Sequence, residues 1–494
     1  MYQLDFGRPA HIHFIGIGGI SMSGLALVLL DRGFAVSGSD AKASALTQLL
    51  GERGARVSIG QTAANIADDM DLVVYTAAIN PENPEYRAAV EKGLPMLSRA
   101  QLLGQMMGHY RYAIAVSGTH GKTTTTSMVA HILMEAGCDP TVSVGGMLPA
   151  IGGNIRVGAS QYFVTEACEY TDSFLSFLPT SEVILNIEAD HLDYFRGIEQ
   201  IRGSFRAFVG LLPPGALLVI NGDIPQVGEI YSGANCRVVT VGLGEGNDYT
   251  AAGVTYDESA CATFTAICRG EALGEVRLGV PGEHNVSNAL AAIALCRELH
   301  GPDDALDQGI GCDTASPGAP CPITMETIAE GLGHFTGTDR RFQVKGEVAG
   351  VTVVDDYAHH PAEIEATLKA ARRRPHRKLW CVFQPHTYSR TKALLEDFAK
   401  ALSLADAVVL ADIYAAREPY DPQISSHMVA ERVARLGTPA HHFPNFDEIE
   451  KFLLESCTQG DLLITMGAGD IYLVGERLLG VSLSTLSTER SHRV

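Results

Sequence analysis

The sequence predicts an α/β protein of three domains. Short β-rich runs alternate with helical patterns along the whole chain, two glycine-rich turns fall directly between a strand and a helix, and 494 residues are too many for one ordinary core. At about 150 residues per domain, the length suggests three. The first domain, residues 1–108, opens with a strand at His11–Ile17 and a helix at Ile20–Arg32, followed by strands at Phe34–Gly38 and Asp71–Ala77. This βαβ order implies a parallel, Rossmann-like sheet. The second, residues 109–333, begins with a strand at Tyr112–Val116, a Gly/Thr loop and a helix at Thr124–Ala136. With strands at Tyr162–Glu166, Glu182–Ile187 and Ala216–Ile220 it reads as P-loop ATPase-like with a parallel sheet. Two antiparallel-looking runs, Tyr249–Tyr256 and Ala262–Arg269, precede a helical stretch at Asn285–His300. Residues 301–333, rich in Pro, Gly and Asp, read as a loop or insertion with a short helix around Thr324–Gly331.

The third domain, residues 334–494, is again Rossmann-like. It has a strand at Val351–Asp355, a helix at Pro361–Arg373, a strand at Leu379–Gln384 and a helix at Leu394–Leu402. Strands at Ala407–Asp412 and Asp461–Met466 follow, and Gly467-Ala-Gly-Asp470 opens a last helix.

Composition narrows the function. The chain is 46% hydrophobic and 19% charged, as a globular protein is. Its formal charge of −20 argues against a nucleic-acid partner, which calls for a basic face. Anions would have to be held locally, at helix N-termini and by a few placed cations. Ten cysteines without a Cys-x-x-Cys pair read as reduced thiols. Cys312 and Cys321 share one loop-like segment, but two cysteines do not make a zinc site. The first apolar run, Ile12 to Leu30, is broken by Gly16, Gly18, Gly19, Ser21, Ser23 and Gly24. No signal peptide or membrane span is visible, so the reading is a cytoplasmic protein without membrane insertion.

The strongest local signal is Ser117-Gly118-Thr119-His120-Gly121-Lys122-Thr123-Thr124 between a strand and a helix. Backbone N–H groups of such a loop cradle phosphate oxygens, Lys122 would neutralise the β- and γ-phosphates, and the Thr123 hydroxyl would ligate Mg²⁺. The two glycines stand closer together than in the usual P-loop, so the competing reading is an ordinary Gly/Thr turn. A second loop, Gly16-Ile-Gly18-Gly19-Ile20-Ser21, approximates the dinucleotide fingerprint with Ser at the third glycine position. Asp40 closes the next strand, where an acid could bond a ribose hydroxyl. NAD fits this motif alone; a UDP diphosphate would use the same donors; a bare βα turn would use neither.

Glu166 ends a strand and, with Thr123, suits Mg²⁺, which prefers oxygen ligands. His191, in Asp190-His191-Leu192-Asp193, reads on its own as a hydrogen-bonded core histidine. Asn285 and Asn288 could equally cap a helix or touch a base. The Arg340-Arg341 pair could reach phosphates or lie solvated on a strand. Asp355-Asp356-Tyr357-Ala-His359-His360-Pro361 packs carboxylates, a phenol and imidazoles at a strand end, which favours chemistry over capping. Gln384-Pro-His386-Thr-Tyr388-Ser-Arg390 leaves the neighbouring strand and could face the same crevice.

These motifs together, His13-Phe-Ile-Gly-Ile-Gly-Gly, the phosphate loop, Asn186-Ile-Glu-Ala-Asp-His-Leu-Asp-Tyr, His284-Asn-Val-Ser-Asn, Arg340-Arg-Phe, Asp355-Asp-Tyr-Ala-His-His-Pro and Phe383-Gln-Pro-His-Thr-Tyr-Ser-Arg, occur in order across nearly the whole chain. The sequence resembles the Mur ligases of bacterial peptidoglycan synthesis. The resemblance implies an ATP- and Mg²⁺-dependent enzyme that joins L-alanine to the carboxylate of UDP-N-acetylmuramate through an acyl phosphate, acting as monomer or homodimer. A sister ligase that reattaches a recovered tripeptide is the alternative. It implies a UDP-sugar site at Gly16, Gly18, Gly19, Ile20, Ser21, Asp40 and Thr76, and Mg²⁺ on Thr123, Glu166 and His191. ATP would lie on Gly118, Thr119, His120, Gly121, Lys122, Thr123 and Thr124 with Asn285, Asn288 and Arg341. The amino acid would meet Tyr357, His359 and Arg390, and Lys122, Arg341, Asp356 and His359 would serve catalysis. A dehydrogenase would leave Lys122, Glu166 and the third domain without a role, and a nucleotide sensor would not need this full set. Loop 301–322 is longer than the resemblance leads one to expect.

Overall fold

The computed structural model describes residues 2–76, 79–192, 194–300, 323–416 and 418–480. Its architecture is three α/β domains, each on its own sheet. The first sheet has five parallel strands in the order Arg56–Ile59, Ala35–Asp40, His11–Ile15, Leu72–Tyr75, Met96–Ser98. The central strand is buried throughout, as an apolar strand covered on both faces must be. It ends at Ile15, two residues before the expected end, because Gly16 and Ile17 both donate to the Ser39 carbonyl (2.8 and 2.9 Å) and so turn the chain out of the ladder.

The second sheet has ten strands, ordered Glu271–Pro281, Cys261–Cys268, Tyr249–Tyr256, Arg237–Val241, Leu217–Asn221, Ser181–Ile184, Tyr112–Ser117, Tyr162–Ala167, Thr141–Leu148, Gly153–Arg156. The expected parallel sheet is only its centre. Both margins are antiparallel, so the sheet is mixed. The strand Thr141–Leu148 escapes sequence reading because Gly145 and Gly146 interrupt its alternation. The short helix expected around Thr324–Gly331 is present, and it belongs to the core. Met325–His334 is a helix capped by Thr324, with Ile328 and Leu332 inaccessible in the same core as Met128 and Ile132. Its Gly331 lies so close to the helix Lys122–Glu135 that a Cβ would stand 2.8 Å from the Ile132 Cα. Loop 301–322, with Cys312 and Cys321, lies outside the described residues, as does Asp193.

The third sheet runs Gln343–Val348, Val351–Asp356, Leu462–Met466, Leu379–Phe383, Ala407–Leu410, Ala440–His442, parallel except for its first, antiparallel strand. Its buried apolar residues form clusters of their own. The first two sheets instead share one core. Helices Ile20–Asp31 and Arg99–Met107 place Leu25, Leu29, Leu102 and Met106 in one cluster with Ala113 and Phe163 of the second sheet and Phe205 of the helix Ile198–Val209. Among the described residues no helix is long and apolar enough to cross a membrane.

Candidate active site

The strand Tyr112–Ser117 is wholly buried and releases the chain into Gly118 (φ 139°) and Gly121 (φ 82°). The helix starts at Lys122, two residues earlier than expected, so Lys122 and Thr123 occupy its first turn. Gly121 is its N-cap and offers no side-chain acceptor, which leaves the first N–H groups unsatisfied within the helix. A Cβ on Gly121 would stand 2.7 Å from Asn288 Oδ1, so glycine is required by both angle and space. Asn186 braces the loop: His120 N donates to its Oδ1 (2.7 Å), and its Nδ2 donates to the His120 carbonyl (3.1 Å). Lys122 Nζ donates to the Gly118 and Thr119 carbonyls and, at 3.0 Å, to Glu169. Burial alone would lower the lysine's pKa, but Glu169 outweighs it and holds Lys122 above its ordinary value.

Beside the loop opens a cavity of about 280 Å³ lined by Gly121, Thr124, Asn285, Asn288, Arg341 and Asp356, among others. Capping is not what the asparagines do. Asn285 Nδ2 donates to the Pro281 carbonyl (2.8 Å) and Asn288 Nδ2 to Asn285 Oδ1 (2.9 Å), while the N-cap of helix His284–Glu298 is Glu283, which makes no side-chain cap. The arginine pair divides. Arg340 is tied to Asp355 (2.9 Å) and to the Gly467 and Gly469 carbonyls (2.6 and 3.1 Å), whereas Arg341 lines the cavity, 5.5 Å from the Tyr357 ring centre and 3.7 Å from Glu363.

Around Lys122 lie the residues expected for a divalent cation. Glu166 Oε1 accepts from Gly145 N, and the neighbouring Gly146 packs against Thr123, so one backbone segment passes both groups. His191 adopts φ 51°, and its Nε2 faces Glu169 Oε1 at 3.8 Å rather than Glu166. Glu169 is the residue sequence reasoning missed. It is 1% exposed, and its Oε1 has no hydrogen-bond partner in the fold. The available signal was its spacing from Glu166, three residues on from the strand end. A buried carboxylate oxygen left over beside an imidazole fits a hard cation better than it fits an apolar core. A different trio, His120, Glu188 and His360, brings its ligand atoms within 4.8 Å of one another. There each ring already serves the protein: His120 Nε2 donates to Glu188 (3.2 Å) and His360 Nε2 to the Ala189 carbonyl (3.2 Å).

The third sheet delivers the turn after Val351–Asp356. Asp356 accepts from Ala358 N (2.7 Å), Phe342 N (2.8 Å) and Thr367 Oγ1 (3.2 Å), and burial pushes its pKa up to about 6. His359 Nδ1 donates to the Tyr357 carbonyl (3.0 Å), and burial pulls its pKa down to about 4, so the ring is neutral. Arg390 reaches across to the second sheet, where its Nε and an NH₂ both bond Asp190 Oδ1 (3.1 and 2.9 Å). Burial would raise the Asp190 pKa, but Arg390 holds it well below the carboxylate range. Thr387 takes φ 67° and caps the helix Tyr388–Ala393 that carries Arg390.

The first glycine loop lies at the C-terminal end of the first sheet, apart from this cavity. Gly18 N donates to Asp40 Oδ2 (3.0 Å), so Asp40 braces the loop. A Cβ on Gly18 would stand 2.8 Å from Thr47, and one on Gly16 3.3 Å from Thr76, which puts Thr76 at the loop as well. Gly19 caps the helix Ile20–Asp31 without a side-chain acceptor, Ser21 is half-buried and Ile20 is exposed.

Three α/β domains with a strand–glycine–lysine–helix turn in the middle one define a multidomain α/β protein of the nucleotide-loop class. Residues 11–111 match the catalytic domain of the Mur ligase family, residues 116–296 the Mur ligase middle domain and residues 340–469 the Mur ligase glutamate ligase domain. The chain belongs to the Mur ligase family. It is 55% identical to a UDP-N-acetylmuramate–L-alanine ligase of Agathobacter rectalis, over 97% of this chain and all of that one. It is 48% identical to the protein of that name from Caldanaerobacter subterraneus, over 97% of this chain and 99% of that one. Among solved structures it is similar to the UDP-N-acetylmuramate-alanine ligase MurC of Thermotoga maritima, at 30% identity and TM-score 0.75, over 95% and 98% of the two chains. A murein peptide ligase of Psychrobacter arcticus is 25% identical with TM-score 0.66, over 96% and 98%.

Proposed function

We propose that this protein joins L-alanine to the carboxylate of UDP-N-acetylmuramate, using ATP and releasing ADP and phosphate, in peptidoglycan precursor synthesis. The observation that carries the reading is the 55% identity over essentially full length to a ligase of that name, against 25% for the murein peptide ligase. In this reading residues 1–108 bind the UDP-sugar, 109–333 bind ATP and 334–494 receive the amino acid. The enzyme works in the cytoplasm, where both nucleotides are made, as monomer or homodimer.

The γ-phosphoryl group of ATP passes to the muramate carboxylate, and the amine of L-alanine then attacks the acyl phosphate, expelling phosphate. The phosphate loop from Gly118 to Thr124 seats the phosphates, with Lys122 and Arg341 neutralising charge and Asn285 and Asn288 facing the base. The orphaned Glu169 oxygen supports a cation site, with Thr123, Glu166 and His191 as ligands and Glu169 as a further one. Mg²⁺ there supplies charge neutralisation at the phosphate oxygens. Gly16, Gly18, Gly19, Ile20, Ser21, Asp40 and Thr76 hold the UDP moiety, and Tyr357, His359 and Arg390 the amino acid. Of the two candidate bases, Asp356 is already engaged by three donors, whereas neutral His359 keeps an Nε2 lone pair. His359 therefore takes the amine proton and Asp356 shapes the turn.

Phosphate release from ATP, Mg²⁺ and UDP-N-acetylmuramate, with L-alanine, other amino acids or tripeptide, tests the reading. Release that requires L-alanine is expected. Release with tripeptide alone would move the activity to peptide reattachment. Lys122→Ala should abolish ADP release while UDP-sugar binding persists; normal turnover in that variant would remove the phosphate loop from the mechanism.

A further inference from the structure

Glu363 has no role in the reading above, yet it touches three of that reading's motifs. It sits in the first turn of the helix Pro361–Arg373, where Oε2 accepts from His359 N (3.0 Å) and His360 N (3.3 Å) and closes a capping box. Capping needs one acceptor oxygen, and an amide would supply it. The other oxygen points away from its own helix. Oε1 lies 3.4 Å from His120 Nδ1, in the phosphate loop, and 3.7 Å from Arg341 in the cavity wall. The far nitrogen of the same imidazole donates to Glu188 (3.2 Å), and His360 lies against the ring with centroids 4.6 Å apart. His120 is thus a cation set between a carboxylate of the second sheet's domain and a carboxylate of the third. Burial would favour neutral Glu363, but the cationic His120 and Arg341 hold it ionised.

We infer that Glu363 is a positioning residue: through His120, Arg341 and the His359 N–H it sets the third domain's reactive turn in register with the phosphate loop. This deepens the ligase reading and rests on it. Bridging requires the charge, because a neutral amide satisfies the cap yet pairs weakly with the two cations. The geometry also explains why an acid stands at a capping position where only 12% of its side chain is exposed.

The test separates cap from bridge. Glu363→Gln keeps the acceptor, so its melting temperature should stay near that of the wild type. Its kcat/KM for ATP should fall about tenfold or more, with the KM for UDP-N-acetylmuramate unchanged. Binding of a non-hydrolysable ATP analogue with Mg²⁺, measured by calorimetry, should weaken in parallel. In a His120→Asn background, Glu363→Gln should cost little more, because the coupling partner is already gone. Wild-type kinetics and analogue binding in Glu363→Gln, or losses that add independently of His120, would reduce Glu363 to a helix cap. Failure of the ligase reading would show differently: wild-type protein would release no phosphate with L-alanine, while the analogue-binding arm would still test the bridge.

Discussion

The two joints of this molecule are built from opposite materials. Between the first and second domains the contact is a continuous apolar core, in which Gly104 packs directly on backbone and a Cβ there would stand 1.9 Å from the Ser176 carbonyl oxygen. Between the second and third domains the contacts are ionic and hydrogen-bonded. Arg390 meets Asp190, His120 meets Glu363, His360 meets the Ala189 carbonyl and Arg373 meets Glu283 (3.1 Å). An apolar interface packed to core density resists movement, while a polar one can open, because water replaces each hydrogen bond it loses. A ligase that must admit ATP and then shield an acyl phosphate from water needs one joint of each kind. The cavity beside Gly121 and the turn after Val351–Asp356 lie at the polar joint.

This contrast can be broken most directly at Gly104. Gly104→Ala should cost roughly 3 kcal/mol of unfolding free energy by overpacking against backbone, measured by urea titration. Gly24→Ala should cost less, since its new Cβ meets mainly the rotatable Cδ1 end of Ile155. At the polar joint, Asp190→Asn should lower kcat/KM by about thirtyfold, or about 2 kcal/mol, because Arg390 loses its buried counter-charge while the amide still accepts hydrogen bonds. The denaturation midpoint of the first two domains should not move.

A pH titration sharpens the comparison. His120 has its pKa raised to about 9; burial works against this, and its bonds to Glu188 and Glu363 overcome burial. A raised folded pKa means its stabilisation is complete below the ordinary value of 6.5 and is lost as pH rises through about 9. The third domain should therefore loosen between those limits, seen as a growing radius in small-angle scattering, while the apolar joint stays unchanged. Glu363→Gln should flatten that response. The smallest effect belongs to Glu182, which is inaccessible, has neither oxygen hydrogen-bonded and has its pKa raised well above normal by burial. Its contribution is complete below pH about 4.5 and lost as pH rises, so Glu182→Gln should raise the melting temperature at neutral pH by an amount that shrinks on acidification, worth about 1 kcal/mol.

Much of this was legible in the chain. Alternating β and α periods announced three α/β domains, because a strand and a helix each bury one face and must record it in their own residues. The phosphate loop was legible for the same local reason: a strand, two glycines with positive φ, a lysine and a helix lie within one short stretch. The strand Thr141–Leu148 was not, since two glycines erase its pattern and only its neighbours Tyr162–Ala167 and Gly153–Arg156 hold it extended. The helix Met325–His334 was legible as a short helix, but its place in the core was not, because that rests on packing against the distant helix Lys122–Glu135.

By itself the sequence determined the fold class, the strand–glycine–lysine–helix turn at Gly118–Thr124, the glycine loop of the first domain and the family, all properties that reside in contiguous residues. Only the tertiary structure decided which member of each motif turns inward. Arg341 faces the cavity and Arg340 does not, Glu169 is left with a buried carboxylate oxygen that no hydrogen bond fills, and Asp190 holds Arg390 from 200 residues away. Those choices are set by long-range packing and by charges desolvated together, and the local pattern of residues carries no record of either.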